Sequence, residues 1–142
     1  MAQIVSPNEL KKLAEEIEIR KAREALEKSE RAESEKKKLH DAFFQREIAA
    51  DANDRVSDAI RRAAENGLKE VHIVTFPATW TNDKGRRINN NEPDWATSLD
   101  GFAKRAYEFY DKEMRAAGYK LRCEVLTFPG GMPGDIGMYL SW

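Results

Sequence analysis

A single cysteine, Cys123, leaves this chain without an internal disulfide or a multi-cysteine metal site. It lies where a strand is expected and reads as a buried thiol in a reducing cytoplasm. Histidine is nearly as scarce: His40 and His72 are the only two, so no metal is expected. His72 falls in the run Glu70 to Phe76 and reads as a packed, hydrogen-bonded side chain. No stretch approaches the ~18 apolar residues of a membrane span. The opening Met1-Ala2-Gln3-Ile4-Val5-Ser6-Pro7 also lacks the basic flank and apolar core of a secretory leader. A soluble, cytoplasmic protein with no membrane partner is the expectation. No sign of charge dominates either: 24 Lys+Arg stand against 25 Asp+Glu, so no overall field draws the chain to nucleic acid or anionic lipid. Catalytic signatures are missing as well, with no nucleophile elbow and no dinucleotide fingerprint. The stretch Gly130-Gly131-Met132-Pro133-Gly134-Asp135 is glycine-rich, but it lacks the Gly-Lys-Ser/Thr ending of a phosphate loop and opens no helix. No cofactor is implied.

Between Pro7 and Gly67 the chain has neither glycine nor proline, so nothing local stops a helix there. Ser6-Pro7-Asn8-Glu9 starts one, with serine as cap, proline in the first turn and glutamate closing a capping box. Unbroken to Gly67, such a helix runs roughly 90 Å at about 1.5 Å per residue. The residues after it make a globule only about 30 Å across, so the helix is expected to overhang its own domain. Residues 1–38 read as a charged helical arm. Its middle carries opposite charges four apart, at Glu16 and Arg20, Glu24 and Lys28, Glu27 and Arg31, and Glu33 and Lys37. Apolar residues do not recur there every seven positions, which disfavours a regular two-stranded coiled coil. From Leu39 onward Phe44, Ile48, Ala52, Val56, Ile60 and Ala64 fall four apart, and this stripe predicts a core-facing helix over 39–66.

A compact α/β domain is expected over 39–142. After the first helix come a strand at 70–76, a loop at 78–97, a helix at 98–117, and strands at 120–128 and 136–142. The first strand is apolar on both faces, which suits the middle of a sheet or a covered position. Within the loop, Asn82-Asp83-Lys84-Gly85 is a turn signal that a short hairpin can enclose. Two segments repeat one plan: Arg62-Ala63-Ala64 to Thr75-Phe76-Pro77, and Arg115-Ala116-Ala117 to Thr127-Phe128-Pro129. Their closing prolines are 52 residues apart, a spacing compatible with a supersecondary repeat. The fold class is therefore α+β: a long N-terminal helix leads into an α-β-α-β-β domain with a small three-stranded mixed sheet packed by two helices. The final strand either lies outside the second or inserts between the first two.

If the two repeated strands run parallel, both Thr-Phe-Pro ends emerge at one edge of the sheet, where α/β proteins commonly hold ligands. The candidate ligand-binding residues there are Thr75, Asp83, Arg86, Arg87, Asn89, Asp94, Thr127 and Asp135. Carboxylates beside arginines suit a phosphorylated or amide-bearing substrate, yet no spacing demands one. The basic clusters Lys84-Gly85-Arg86-Arg87 and Lys36-Lys37-Lys38 are small and flanked by acids, so they read as a charged turn and a solvated helix face rather than a nucleic-acid surface. The favoured reading is a non-catalytic interaction or assembly module. It binds itself or another protein through the arm, at Leu10, Leu13 and Ile17. A small enzyme or ligand-binding protein with its site at the strand ends is the alternative.

Overall fold

The computed structural model describes residues 3–142. Met1 and Ala2, part of the stretch read for a leader, lie outside the described residues. The chain divides into two units, Met1–Asp41 and Ala42–Trp142. Helix α1 (Pro7–Gln45) supplies most of the first. Its expected capping box is present: the Glu9 amide donates to Ser6 Oγ and the Ser6 amide to Glu9 Oε2, each at 3.3 Å. The helix is continuous through its charged middle. None of the four expected ion pairs along it is closed among the described residues, as befits exposed pairs whose Coulomb gain is offset by side-chain entropy.

The expected uninterrupted helix to residue 66 is corrected. α1 stops at Gln45, and a second helix, α2 (Ala52–Glu65), begins after a six-residue link. No local breaker causes this; the cause is tertiary. Arg105 Nη1 donates to the carbonyls of both Phe44 and Arg46 at 2.8 Å, satisfying acceptors that a helix end leaves open. The Arg46 guanidinium sits 4.0 Å from the Phe102 ring centroid, a cation-π contact that helps hold the link. α2 ends at Glu65 with Asn66 as its cap, and Gly67 beyond it takes φ +78°, a left-handed stop that glycine adopts without a Cβ penalty.

The sheet is three-stranded, in the order β1 (Glu70–Pro77), β3 (Asp135–Ser141), β2 (Lys120–Val125). Both ladders are antiparallel, so the mixed sheet is corrected. β1 and β2 share a direction only because each opposes β3, and the final strand has taken the inserted position. β1 is therefore an edge strand, as in either of the two expected orders, and not the middle of the sheet. Its apolar character on both faces has a local origin: the register shifts between His72 and Val74. A bulge at Ile73 lets Val71, Val74 and Phe76 all oppose buried residues of β3.

Directly opposed residues point to the same face. One face carries Phe76 with Ile136 and Val125, Val74 with Met138 and Cys123, and Val71 with Leu140 and Leu121. Ile136, Met138 and Leu140 are each 0% exposed. Against this face pack Phe43, Ile88, Leu99, and Phe102 with Ala106 of α4 (Gly101–Glu113). α4 is shorter than the expected 98–117 because 3₁₀ turns at Trp95–Ser98 and Arg115–Ala117 flank it.

Candidate functional site

The ends of β1 and β2 do reach one rim, on either side of the start of β3. Pro77 is opposite Asp135, and the Leu126 amide donates to the Asp135 carbonyl at 2.7 Å. The Ala78 amide donates to the Gly134 carbonyl at 2.7 Å, which ties the two irregular loops together. A Cβ on Gly134 would fall against Thr127 Oγ1 and the Pro129 ring, so only glycine allows this approach.

The first loop is not a hairpin. Asn82-Asp83-Lys84-Gly85 turns instead into a single helical turn, α3 (Arg86–Asn89). Asp83 organises it: Oδ1 accepts from the Gly85 amide at 3.1 Å, and Oδ2 accepts from the Arg87 amide at 3.0 Å and from Arg87 Nη1 at 3.3 Å. The Thr81 hydroxyl donates to the Ala78 carbonyl and accepts from the Gly85 amide, both at 2.7 Å. This is the polar-turn chemistry by which Asp and Thr substitute for missing backbone partners. Arg87 continues outward to Asp94 at 3.2 Å, and Arg86 reaches Glu92 at 3.5 Å.

Of the eight rim candidates, Asp83, Arg87 and Asp94 thus form one ion chain, with Arg86 in a separate pair. Thr127 and Asp135 meet through the Asp135 amide, which donates to Thr127 Oγ1 at 2.9 Å. Asn89 is exposed, its amide engaged with the Gly85 carbonyl. Thr75 stands apart on the outer face of the sheet. The polar groups of the rim are joined mainly to one another, which stabilises the loops and leaves few donors or acceptors aimed at a common point.

Burial pushes the Asp83 carboxyl pKa up, but the hydrogen bonds from the Arg87 amide, Thr81 and the Gly85 amide, with the Arg87 charge, outweigh it and hold the group below 3.8. A depressed folded pKa contributes stability above the unfolded value that is lost as pH falls through the folded one. Asp83→Asn is therefore expected to lower the melting temperature at pH 6, by an amount matching about 1 kcal/mol. The gap to the parent should shrink progressively below about pH 4. Melts at closely spaced pH values check this; a gap constant down to pH 2 would contradict it.

The outer face carries a second cluster that sequence reasoning did not single out. His72 is exposed rather than packed, and its Nε2 lies 2.7 Å from Thr75 Oγ1. The His72 and Tyr139 ring centroids are 5.2 Å apart, while the Arg122 guanidinium lies 4.5 Å from the Tyr139 ring on the other side. Arg122 is also bonded to Glu70 and lies 3.7 Å from Glu124. Strict alternation in β2 was the available signal for Arg122 and Glu124. Nothing in sequence could place His72 beside Tyr139 without the register. The cluster is a cross-strand ladder of satisfied pairs.

Cys123 lies on the helix-packed face, and burial raises its thiol pKa to about 12. A thiol so protonated at neutral pH is a poor nucleophile. Among the described residues no group of three His, Cys, Asp or Glu side chains is placed to hold a metal. No helix there is long and apolar enough to cross a membrane. An apolar concavity of the Ala42–Trp142 unit lies away from the rim, between the 46–51 link, α2 and α4, with a volume of about 310 Å³. No protein-family model, curated protein or solved structure matches the chain.

Proposed function

We propose that the chain is a non-catalytic interaction module that uses its N-terminal helix to grip another protein, either a second copy of itself or a different chain. The observation that carries this reading is the exposure of large apolar side chains on α1. Leu10 is 53% and Leu13 52% exposed, with Ile17 partly exposed beside them. At spacings of three and four they share one face of the helix. A solvated helix gains nothing from such a cluster, whereas a helix laid in an apolar groove is anchored by residues at this spacing.

The rim supports the same reading over the enzymatic one. Asp83, Arg87 and Asp94 are bonded to one another and Arg86 to Glu92, while an active site needs groups converging on a reacting atom.

Replacing Leu10, Leu13 and Ile17 together by Ser tests the proposal. The parent protein should show by light scattering a mass above one chain, or retain a partner in a pull-down. The triple variant should lose that mass or partner while keeping its helical circular dichroism. Unchanged mass and unchanged partners would reject the arm as an interface.

A further inference from the structure

We propose that the outer edge of β2 pairs with the same edge of a second copy, antiparallel and centred on Cys123, so that two sheets join into one. The inference does not rest on the arm.

The main-chain pattern of the sheet fixes which groups are free. Successive residues of an antiparallel strand turn their N–H and C=O groups to opposite sides. The Trp142 amide donates to the Lys69 carbonyl at 3.3 Å and the Ala78 amide to the Gly134 carbonyl at 2.7 Å, so even-numbered positions on and beside β3 face β1. Odd-numbered positions face β2, in agreement with the bond from the Leu126 amide to the Asp135 carbonyl. Through the β2–β3 register, Lys120, Arg122 and Glu124 therefore engage their main-chain groups in the ladder. Leu121, Cys123 and Val125 turn theirs away from the sheet, and among the described residues those groups have no hydrogen-bond partner.

The two edges of the sheet are not equivalent. Bulges and prolines protect natural edges from further pairing. β1 has both, in the bulge at Ile73 and in Pro77. β2 has neither over its six residues. Its side chains on the helix-packed face, Leu121, Cys123 and Val125, are only partly buried. An added strand completes both the hydrogen bonding and that burial.

Charge selects the strand that is added. Two copies of β2 that meet through their outward groups oppose odd-numbered residues to odd-numbered ones, so the register is set by the residue on the twofold axis. Centred on Cys123, the pairing sets Arg122 of each copy against Glu124 of the other, and Leu121 against Val125. Centred on Leu121 or Arg122 it opposes like cations, and on Glu124 like anions; on Val125 it pairs no unlike charges. Unlike charges directly opposed stabilise a sheet and like charges destabilise it. Arg122 is bonded to Glu70 on the β1 side, whereas Glu124 is exposed and 3.7 Å from Arg122 of its own chain, beyond hydrogen-bond reach. A strand that complements itself across a twofold axis is an isologous surface, which makes a second copy the partner.

The test uses the full chain carrying Leu10→Ser/Leu13→Ser/Ile17→Ser, so that the arm contributes nothing. A single pair of short strands is a small contact of the transient class, and sedimentation equilibrium follows it as concentration is raised toward the millimolar range. A two-chain species should appear. Adding Arg122→Glu, or separately Glu124→Arg, should abolish it over the same range. An equimolar mixture of these two proteins should regain it, because every opposed position then carries unlike charges. A single-chain mass throughout for the arm variant would overturn the proposal and leave the arm reading untouched. So would self-association that survives either charge substitution.

If Arg122→Glu unfolds through loss of its contact with Glu70, amide NMR of the arm variant alone decides. The amide resonances of Leu121, Cys123 and Val125 should move with concentration while those of β1 stay fixed. Resonances of β2 that do not move would overturn the assignment.

Discussion

A chain ending at Asp135 is expected not to fold and to precipitate from solution. The seven missing residues hold most of β3, and β3 is the only strand that touches the other two. Without it β1 and β2 have no partner, and every ladder hydrogen bond of the sheet is lost. Ile136, Met138 and Leu140, each 0% exposed, are lost with it. Fully burying an aliphatic side chain contributes roughly 1.5–3 kcal/mol, so the three together approach the ~5–15 kcal/mol by which a domain is typically stable. The residual chain would also expose two strand edges beside apolar surface, the usual route to aggregation. Amide NMR spectra of the truncated chain check the prediction; well-dispersed resonances would contradict it.

Phe43→Ala should destabilise the Ala42–Trp142 unit by about 3–5 kcal/mol, the range for removing a buried aromatic side chain. Phe43 is the one buried residue of α1. Its ring centroid lies 4.8 Å from that of Trp80, 5.5 Å from those of Phe44 and Phe76, and 6.3 Å from that of Phe102. Gly101 makes room for it: a Cβ there would stand 3.0 Å from two Phe43 ring carbons, at a backbone φ of +60°. The cavity left by alanine has little chance to collapse, since the cluster is aromatic on several sides. For a domain of this size the loss corresponds to a melting temperature lower by roughly 15 °C or more. A calorimetric shift under about 4 °C would show that the ring is not the centre of the packing.

What could be read from the sequence was local. The start of α1 was legible because a capping box places all its partners within three residues. The stops at Gly67 and Gly118 were legible because a left-handed residue, at φ +78° and +99°, favours glycine whatever surrounds it. The two helix-strand units followed from those stops and from apolar periodicity. Illegible features depended on partners distant in sequence. The end of α1 is set by Arg105, some 60 positions away, and no residue near Gln45 announces it. The central place of β3 was one of two orders that the sequence allowed, since strand pairing is set by contacts distant in the chain, and the bulge was hidden because Ile73 looks in sequence like any other strand residue.

The candidate site shows a different ambiguity. Asp, Asn, Thr and Arg are the residues that bind polar ligands, and they are also the residues that build tight turns. Asp83, Arg87 and Asp94 have the first property by residue type, and their side chains are engaged in the second. Spacing alone does not separate the two roles.

Hydrogen exchange of the intact protein at two widely separated concentrations addresses the role of the N-terminal helix most directly. If this helix is an interface between copies, amides around Leu10 to Ile17 should be protected more strongly at the higher concentration. Exchange there that is the same at both concentrations would contradict self-association through this helix.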